Sequence, residues 1–254
     1  VKKYNRRQML VASGGLLGVS LFNKTAHSIE KSEEIENSRK IMVVGGHPDD
    51  PESGCGGTIC KLTAAGHNVV VVYLTRGEAG LEGKSHDEAA RIRASEAGEA
   101  CKVMNARPLF AGQVDGNTVI NKDEYSKMAR IIEEETPEIV FTHWPIDTHP
   151  DHRVASNLVY NAWNRFRWDE KKAFDLYYYE VLTGEQTQNF HPTHYVDITE
   201  TADLKKEATM KHACQNPAEW YGHHEKMGEF RGLELRWDCK QAEAFVRQGM
   251  SDIL

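Results

Sequence analysis

MVVGGHPDDPESGCGGTI, residues 42–59, is the stretch from which the rest of the chain is read. It continues an apolar run, Ile41 to Val44, with the length and β-branched content of a buried strand. The run breaks at Gly45-Gly46 into a polar turn holding His47, Asp49 and Asp50, and after Gly54, Gly56 and Gly57 the pattern turns helical over Thr58 to Ala65. A strand that ends in a glycine-flanked loop and feeds a helix carries its polar side chains to the carboxyl edge of an open α/β sheet, where such sheets bind ligands.

A neutral imidazole and a carboxylate three residues apart can ligate zinc or a similar divalent cation. His47 and Asp50 taken alone suit a helix cap equally well, with Pro48 shaping the turn. A second cluster tips the reading towards chemistry. Residues 147 to 152 read Asp-Thr-His-Pro-Asp-His and again follow an apolar run, Ile139 to Phe141, that looks like a strand end. Both clusters then share one edge of one sheet, and capping is a poor explanation for two of them.

His47-Pro48-Asp49-Asp50, with Glu52 and Gly56-Gly57-Thr58-Ile59 behind it and His149-Pro150-Asp151-His152 much later, resembles the paired motifs of the LmbE-like and PIG-L zinc-dependent N-deacetylases. Weaker similarity covers most of residues 39 to 250. The resemblance implies an α/β, Rossmann-like three-layer fold with a mostly parallel sheet flanked by helices. It also implies a hydrolase that removes an N-acetyl group from an amino sugar of the N-acetylglucosamine type by attack of zinc-activated water. Zn2+ is the implied cofactor, with another divalent transition metal such as Fe2+ as the variant. A small-molecule amino sugar is the implied partner, and a homo-oligomer agrees with the family's habit.

Three protein ligands with an open position for water define a hydrolytic zinc site, and His47, Asp50 and His152 are assigned to it. Asp49 is then free to accept a proton from water whose pKa the ion lowers towards ~7. His149 is placed to stabilise the oxyanion, an effect worth roughly 3 to 4 kcal/mol where single donors have been removed. Asp151 is placed to orient or charge that histidine. Asp49, and after it His149, is the candidate for returning the proton to the leaving amine.

Arg93-Ala94-Ser95-Glu96-Ala97 is similar to the family's Arg-x-x-Glu-Ala helix, in which the arginine points towards substrate; without the resemblance, Arg93 reads as a surface residue. Asp115-Gly116-Asn117 is a tight turn by its residue types, where the family carries a loop near the sugar. Two positions depart from the pattern. Bacillithiol-pathway relatives carry an arginine where Thr148 stands, so the likeness does not extend to an anionic group read by that arginine. Asn105 ends the Arg93 helix where a glycine is usual.

The remaining elements fit this frame. Val69 to Leu74 reads as a second buried strand, ending in the loop Thr75 to Gly80 beside the first one. Arg76 and Glu78 there either pair with each other or face the site. Helices are expected over Asp87 to Met104, Asp123 to Glu135, where Thr136-Pro137 stops the helix, and from Pro150 to about Arg165. Tyr177 to Val181 and Tyr195 to Ile198 read as strands, and Thr201 to Ala213 as a helix with Leu204, Ala208 and His212 on related faces. Residues 214 to 237, rich in Trp, Tyr, Gly and His, lack a clean period and read as a loop that walls a pocket or forms an interface. His223-His224 reads as a solvated or packed pair. Gln241 to Phe245 opens the closing element.

Composition sets the bounds. The 254 residues, 40% of them apolar, suffice for one substantial α/β core. A formal charge of −7 excludes a basic nucleic-acid footprint, and no uncharged apolar run of about 18 residues in the main body suggests a membrane span. Five cysteines, at 55, 60, 101, 214 and 239, without a CxxC spacing, argue against a disulfide framework and a zinc finger. Cys55 lies near the metal loop, but the resemblance gives the ligand roles to others.

Residues 1–28 differ in kind. Lys2, Lys3, Arg6 and Arg7 precede the uncharged stretch Met9 to Phe22, the layout of an export signal, and Asn5 to Leu10 resembles a bacterial twin-arginine signal. Use of that signal exports the protein to the periplasm or a membrane surface; otherwise it stays cytoplasmic. Residues 29–38 read as a charged linker, which leaves 39–254 as the deacetylase-like domain. Two other functions remain open on the residues. One is a metal amidase for another N-acyl substrate, such as an N-acyl amino acid. The other is a non-catalytic binding protein on the same fold, against which the intact Asp49 counts.

Overall fold

β1 (Lys40–Gly45) is buried along its whole length after Lys40 and pairs in parallel with β2 (Asn68–Tyr73) on one side and β4 (Ile139–His143) on the other. The structure is a computed structural model that describes residues 38–169 and 171–249. The segment read as an export signal and most of the linker lie outside the described residues. β3 (Arg107–Phe110) extends the parallel sheet beyond β2, and β5 (Asp175–Tyr179) extends it beyond β4. β6 (His194–Asp197) and β7 (Ala242–Arg247) finish it antiparallel, giving the order β3-β2-β1-β4-β5-β7-β6.

The helices are α1 (Asp50–Ala64), α2 (His86–Val103), α3 (Lys122–Glu135), α4 (Pro150–Phe166), α5 (Ala202–Met210) and α6 (Pro217–Leu235), with a 3-10 turn at Ala213–Gln215 between the last two. Side chains alternate across β1. Ile41 and Val43 pack with Ile59 of α1, Ala97 and Cys101 of α2 and Ala208 of α5. Met42 and Val44 pack with Met128 and Ile132 of α3 and Val154 and Leu158 of α4. A sheet covered on both faces explains why its strands read as unbroken apolar runs rather than alternating ones. The three-layer, mostly parallel α/β expectation is met. Among the described residues no helix is long and apolar enough to cross a membrane.

Two sequence expectations need correction. α1 starts at Asp50, eight residues before Thr58, so Gly54, Gly56 and Gly57 lie inside a helix. Close packing accounts for them: a Cβ at Gly54 would sit 2.6 Å from the Tyr179 ring, and one at Gly57 2.7 Å from Ile198. The helix also takes an unusual partner, because Glu243 of β7 accepts the Gly57 and Thr58 N–H groups at 2.9 and 2.7 Å and pairs with Lys205 at 2.8 Å. The aromatic stretch is the other correction, since most of it is α6. Its buried positions are Pro217, Tyr221, His224, Gly228, Arg231 and Gly232, a set too mixed in type to show an apolar period. Gly232 is required by contact with the return strand, where a Cβ would meet the Cys239 carbonyl at 2.7 Å.

Smaller shifts are at the ends. β5 and β6 each start and stop earlier than expected, and α5 ends at Met210 with Leu204 exposed. Asn105 adopts φ 51, the left-handed conformation for which glycine is favoured, so its replacement of glycine changes little in the turn. All five cysteines are free.

The strand order has a consequence for function. From β1 the chain winds outward to β2 and β3, then returns to the other side of β1 for β4. The carboxyl ends of β1 and β4 therefore flank the topological switch point, the crevice in which doubly wound sheets bind their ligands. The two His/Asp clusters follow β1 and β4.

Candidate active site

After Gly45 the backbone turns away from the sheet. Gly46 donates its N–H to His143 Nε2 at 2.9 Å, and a Cβ there would lie 3.0 Å from the His152 ring. His47 and Pro48 follow, and Asp49 takes φ 111, a conformation L residues rarely adopt. Such strain costs on the order of 1–3 kcal/mol and persists only where neighbours over-determine it. Here the Glu52 carboxylate accepts the Asp49 N–H at 3.2 Å, and Arg93 Nη2 donates to Asp49 Oδ2 at 2.8 Å.

His47, Asp50 and His152 come together. Asp50 Oδ2 lies 3.1 Å from His47 Nδ1 and 3.2 Å from His152 Nε2. Zinc bonds of ~2.0–2.1 Å in a tetrahedron imply ligand-to-ligand edges of about 3.3 Å, and the two edges that meet at Asp50 are close to that value. The far ring nitrogens are also occupied as metal-site histidines require. His152 Nδ1 lies 3.1 Å from Asp147 Oδ1, and Asp147 accepts the His149 N–H at 2.8 Å and the Thr187 hydroxyl at 3.1 Å. His47 Nε2 lies 3.1 Å from both Asp151 and Asp115.

The electrostatics point the same way. Burial works against a charge on His47, but Asp115, Asp151 and Asp50 outweigh it and raise its pKa well above the ordinary value. Burial likewise opposes the His152 cation, yet Asp50 and Asp147 push its pKa to about 9. Burial would raise the Asp50 pKa, but His152 and His143 hold it well below the carboxylate range. The cluster thus favours positive charge, the environment a metal ion would find on binding to these groups.

Three sets of side chains lie close enough to share an ion, namely His47 with His149 and His152, Asp50 with His143 and His152, and His47 with Asp115 and Asp151, so His47, Asp50 and His152 are joined through Asp50 and two further histidines compete as ligands. His143 stacks on His152 at a centroid distance of 4.0 Å, but its Nε2 accepts the Gly46 N–H. His149 N-caps α4, its Nδ1 accepting the Asp151 N–H at 3.3 Å, so that its proton sits on Nε2, where it is a donor rather than a ligand.

Three expected roles change with the contacts. Arg93, buried, reaches the Asp49 carboxylate and the Pro48 carbonyl. The Asp115 carboxylate lies against His47 and accepts the Ala79 N–H at 3.1 Å. The Asp151 carboxylate lies against His47 and is fixed by the Gly116 N–H at 2.9 Å and the Thr118 hydroxyl at 2.6 Å, while its charge also acts on His149. Tertiary placement decides which neighbour a carboxylate finds, and sequence adjacency to His149 does not. Arg76 pairs with Glu78, the blander of its two readings.

Asp147, His143 and Thr187 carry contacts that the sequence reading did not assign. Asp147 was visible as the first letter of the second cluster, whereas nothing near Thr187 marks it. A surface hollow of about 690 Å3 opens at the opposite edge, lined by strand starts such as Lys40, Asn68 and Arg107. It holds none of these groups, and the chemistry lies at the switch point.

A mostly parallel, doubly wound sheet with a buried His/Asp cluster and a separate carboxylate at its switch point defines an α/β protein with a candidate hydrolytic centre. Residues 42–163 match the model of the PIG-L (LmbE-like) family, described as GlcNAc-PI de-N-acetylase. The chain is 29% identical over 199 residues to diacetylchitobiose deacetylase of Thermococcus kodakarensis, covering 73% of each chain. It is 27% identical to the Bacillus cereus protein named "Probable N-acetyl-alpha-D-glucosaminyl L-malate deacetylase 2", covering 78% of this chain and 94% of that one. The solved N,N'-diacetylchitobiose deacetylase of Pyrococcus horikoshii shares the fold, with a TM-score of 0.73 at 22% identity over 92% of this chain and 95% of that one.

Proposed function

We propose that this protein is a metal-dependent hydrolase that removes the N-acetyl group from an amino sugar of the N-acetylglucosamine type. The observation that carries the reading is the meeting of His47 and His152 on one carboxylate oxygen of Asp50, with the Asp49 carboxylate beside them committed to no ligand role. His47 Nδ1, Asp50 Oδ2 and His152 Nε2 would hold the ion. When bound, zinc or ferrous iron polarises the amide carbonyl and lowers the pKa of water towards ~7.

Asp49 accepts the proton of the attacking water and passes it to the leaving amine. Burial pushes its pKa up to about 6, against the pull of the Arg93 guanidinium, so that it is an unprotonated base of useful strength in neutral solution. His149 supplies the oxyanion donor. Burial, with His47 and His152 nearby, lowers its pKa and keeps it a neutral ring with the proton on Nε2. Asp151, Asp115 and Asp147 orient the two ligand imidazoles.

Thr148, in the place of an arginine suited to an anionic group, favours an uncharged sugar such as diacetylchitobiose over a malate-bearing one. The twin-arginine-like segment in residues 1–28 supports a site outside the cytoplasm for this activity, with the cytoplasm as the site where that signal is not used. The test is acetate release from N,N'-diacetylchitobiose, N-acetylglucosamine, its malate glycoside and a set of N-acetyl amino acids, with and without a chelator. Chelator-sensitive release from the uncharged sugars is expected. Turnover of the amino acids alone would move the reading to another N-acyl substrate, and metal-loaded protein that releases acetate from none of them would overturn it.

A further inference from the structure

Glu52 stands one turn inside α1 and is sealed from solvent, as are its two side-chain neighbours Tyr73 and His212. Its Oε2 accepts the Asp49 N–H at 3.2 Å, and its Oε1 accepts the Tyr73 hydroxyl at 2.5 Å. His212 Nε2 lies 3.1 Å from that same Oε1, within ion-pair distance but without hydrogen-bond alignment, and neither His212 ring nitrogen has another partner among the described residues. The Tyr73 hydroxyl and the Asp49 amide are neutral donors, so among the described residues His212 is the group in contact with Glu52 that can balance its charge. Burial disfavours the His212 cation, but Glu52 outweighs it and raises the His212 pKa.

The segment that carries His212 is tied to the same corner of the site. The Cys214 N–H donates to Glu96 at 3.0 Å, and the Gln215 amide donates to the Gly80 carbonyl at 3.2 Å. Glu96 lies one turn along α2 from Arg93, which holds the Asp49 carboxylate. Asp49 is therefore held twice, through its side chain by Arg93 and through its backbone by Glu52. The backbone hold matters because φ 111 relaxes unless something opposes it.

We infer that His212 is a positioning residue for Asp49: paired with Glu52, it fixes the carboxylate that holds the Asp49 backbone in its left-handed turn and so sets the direction of the Asp49 side chain. This rests on the proposed role of Asp49 as proton acceptor. A displacement of about 1 Å at a reacting group costs on the order of 100-fold in rate, which sets the size of the effect.

The test compares His212→Phe, His212→Gln and Tyr73→Phe with the wild-type chain in steady-state kinetics on N,N'-diacetylchitobiose, metal content by elemental analysis, and crystal structures of the metal-loaded proteins. His212→Phe is expected to lower kcat by about 100-fold with KM nearly unchanged. Metal content stays at the wild-type level, and Asp49 moves while His47, Asp50 and His152 do not. His212→Gln, which keeps an N–H donor, recovers part of the rate, and Tyr73→Phe shows a smaller loss in the same direction. Wild-type kcat in His212→Phe, an unmoved Asp49, or a loss no larger than the loss of folded, metal-loaded protein overturns the inference. If His212→Phe does not fold, the other two variants decide by the same criteria. If the wild-type chain releases no acetate, the deacetylase reading falls on its own, while the position of Asp49 in the crystals still decides the role of His212.

Discussion

Arg93 Nη2 lies 2.8 Å from Asp49 Oδ2 and 2.6 Å from the Pro48 carbonyl oxygen, so one buried guanidinium clamps the turn that carries the proposed base. A hydrogen bond to a charged group contributes about 1.5–3 kcal/mol. Arg93→Gln is expected to lower kcat by about 10- to 100-fold with little change in KM. An arginine that bound substrate would raise KM instead, and steady-state kinetics separate the two.

Asp49 and His152 answer to different measurements. Asp49→Asn keeps both ligand histidines and is expected to retain metal while turnover falls by about 10²- to 10⁴-fold, the usual contribution of a general base. His152→Ala is expected to lose the metal itself. Elemental analysis of the two proteins checks this: full occupancy in His152→Ala removes it from the ligand set, and unchanged turnover in Asp49→Asn removes that residue from the mechanism.

Asp147 is not itself one of the proposed ligands, yet it contacts His152 and fixes that ring from behind. Loss of such an outer carboxylate usually costs ~10- to 100-fold in metal affinity or activity. Asp147→Asn is expected to weaken metal binding by about that factor in competition against a chromophoric chelator. Thr187→Val, which removes only a neutral hydroxyl from Asp147, is expected to weaken it less.

The glycines of α1 and α2 differ in sign. A Cβ at Gly54 would press on Tyr179 at 2.6 Å and on the Glu180 carbonyl at 2.9 Å, so Gly54→Ala is an overpacking change expected to destabilise by about 1–3 kcal/mol. Gly98, inside α2, has open space around the corresponding position, and Gly98→Ala is expected to stabilise by about 0.5–1 kcal/mol through helix propensity. Opposite shifts in thermal midpoint are the expected readout.

His224 makes the fold acid-sensitive. Burial, with Lys205 nearby, lowers its pKa from the ordinary 6.5 to about 3, so the fold holds the neutral ring. The stability this contributes is complete above the unfolded-state value and is lost as pH falls from there towards the folded value. Between pH 7.5 and pH 5 the loss is about 2 kcal/mol. Urea titrations at the two pH values check this: His224→Gln is expected to lose about that much less than the wild-type chain, and parallel losses would show that His224 does not carry the effect.

The parts legible in the sequence were those that strand chemistry and local spacing determine. An apolar run ending in Gly45-Gly46-His47 has few other places to go than the edge of a buried strand, and the second cluster repeats the arrangement after β4. Partner choice was not legible. Arg93, Asp115 and Asp151 were all recognised as belonging to the site, yet each reaches a side chain that only the folded sheet brings near it. The α6 stretch lacks a helical signal because its buried positions mix a histidine, an arginine and two glycines, and the sequence pattern places the start of α1 too late because its glycines answer to Tyr179 and Ile198 rather than to a turn. His212 carries no local signal, since Glu52 meets it only through the packing of α1 beneath the turn after α5.

β7 slots between β5 and β6, and from there Glu243 receives two amide protons of α1. On a ribosome that delivers about 5–20 residues per second, the segments bearing both histidine clusters emerge well before this strand does. Until it arrives, the outer edge of β5 is bare, β6 has no neighbour to hydrogen-bond, and the helix beginning at Asp50 lacks its buried counter-carboxylate. Maturation of the nascent polypeptide is therefore gated late. β7, the last strand among the described residues, acts as a keystone, and a prematurely terminated product lacking it would be an aggregation-prone fragment rather than a slightly weakened protein.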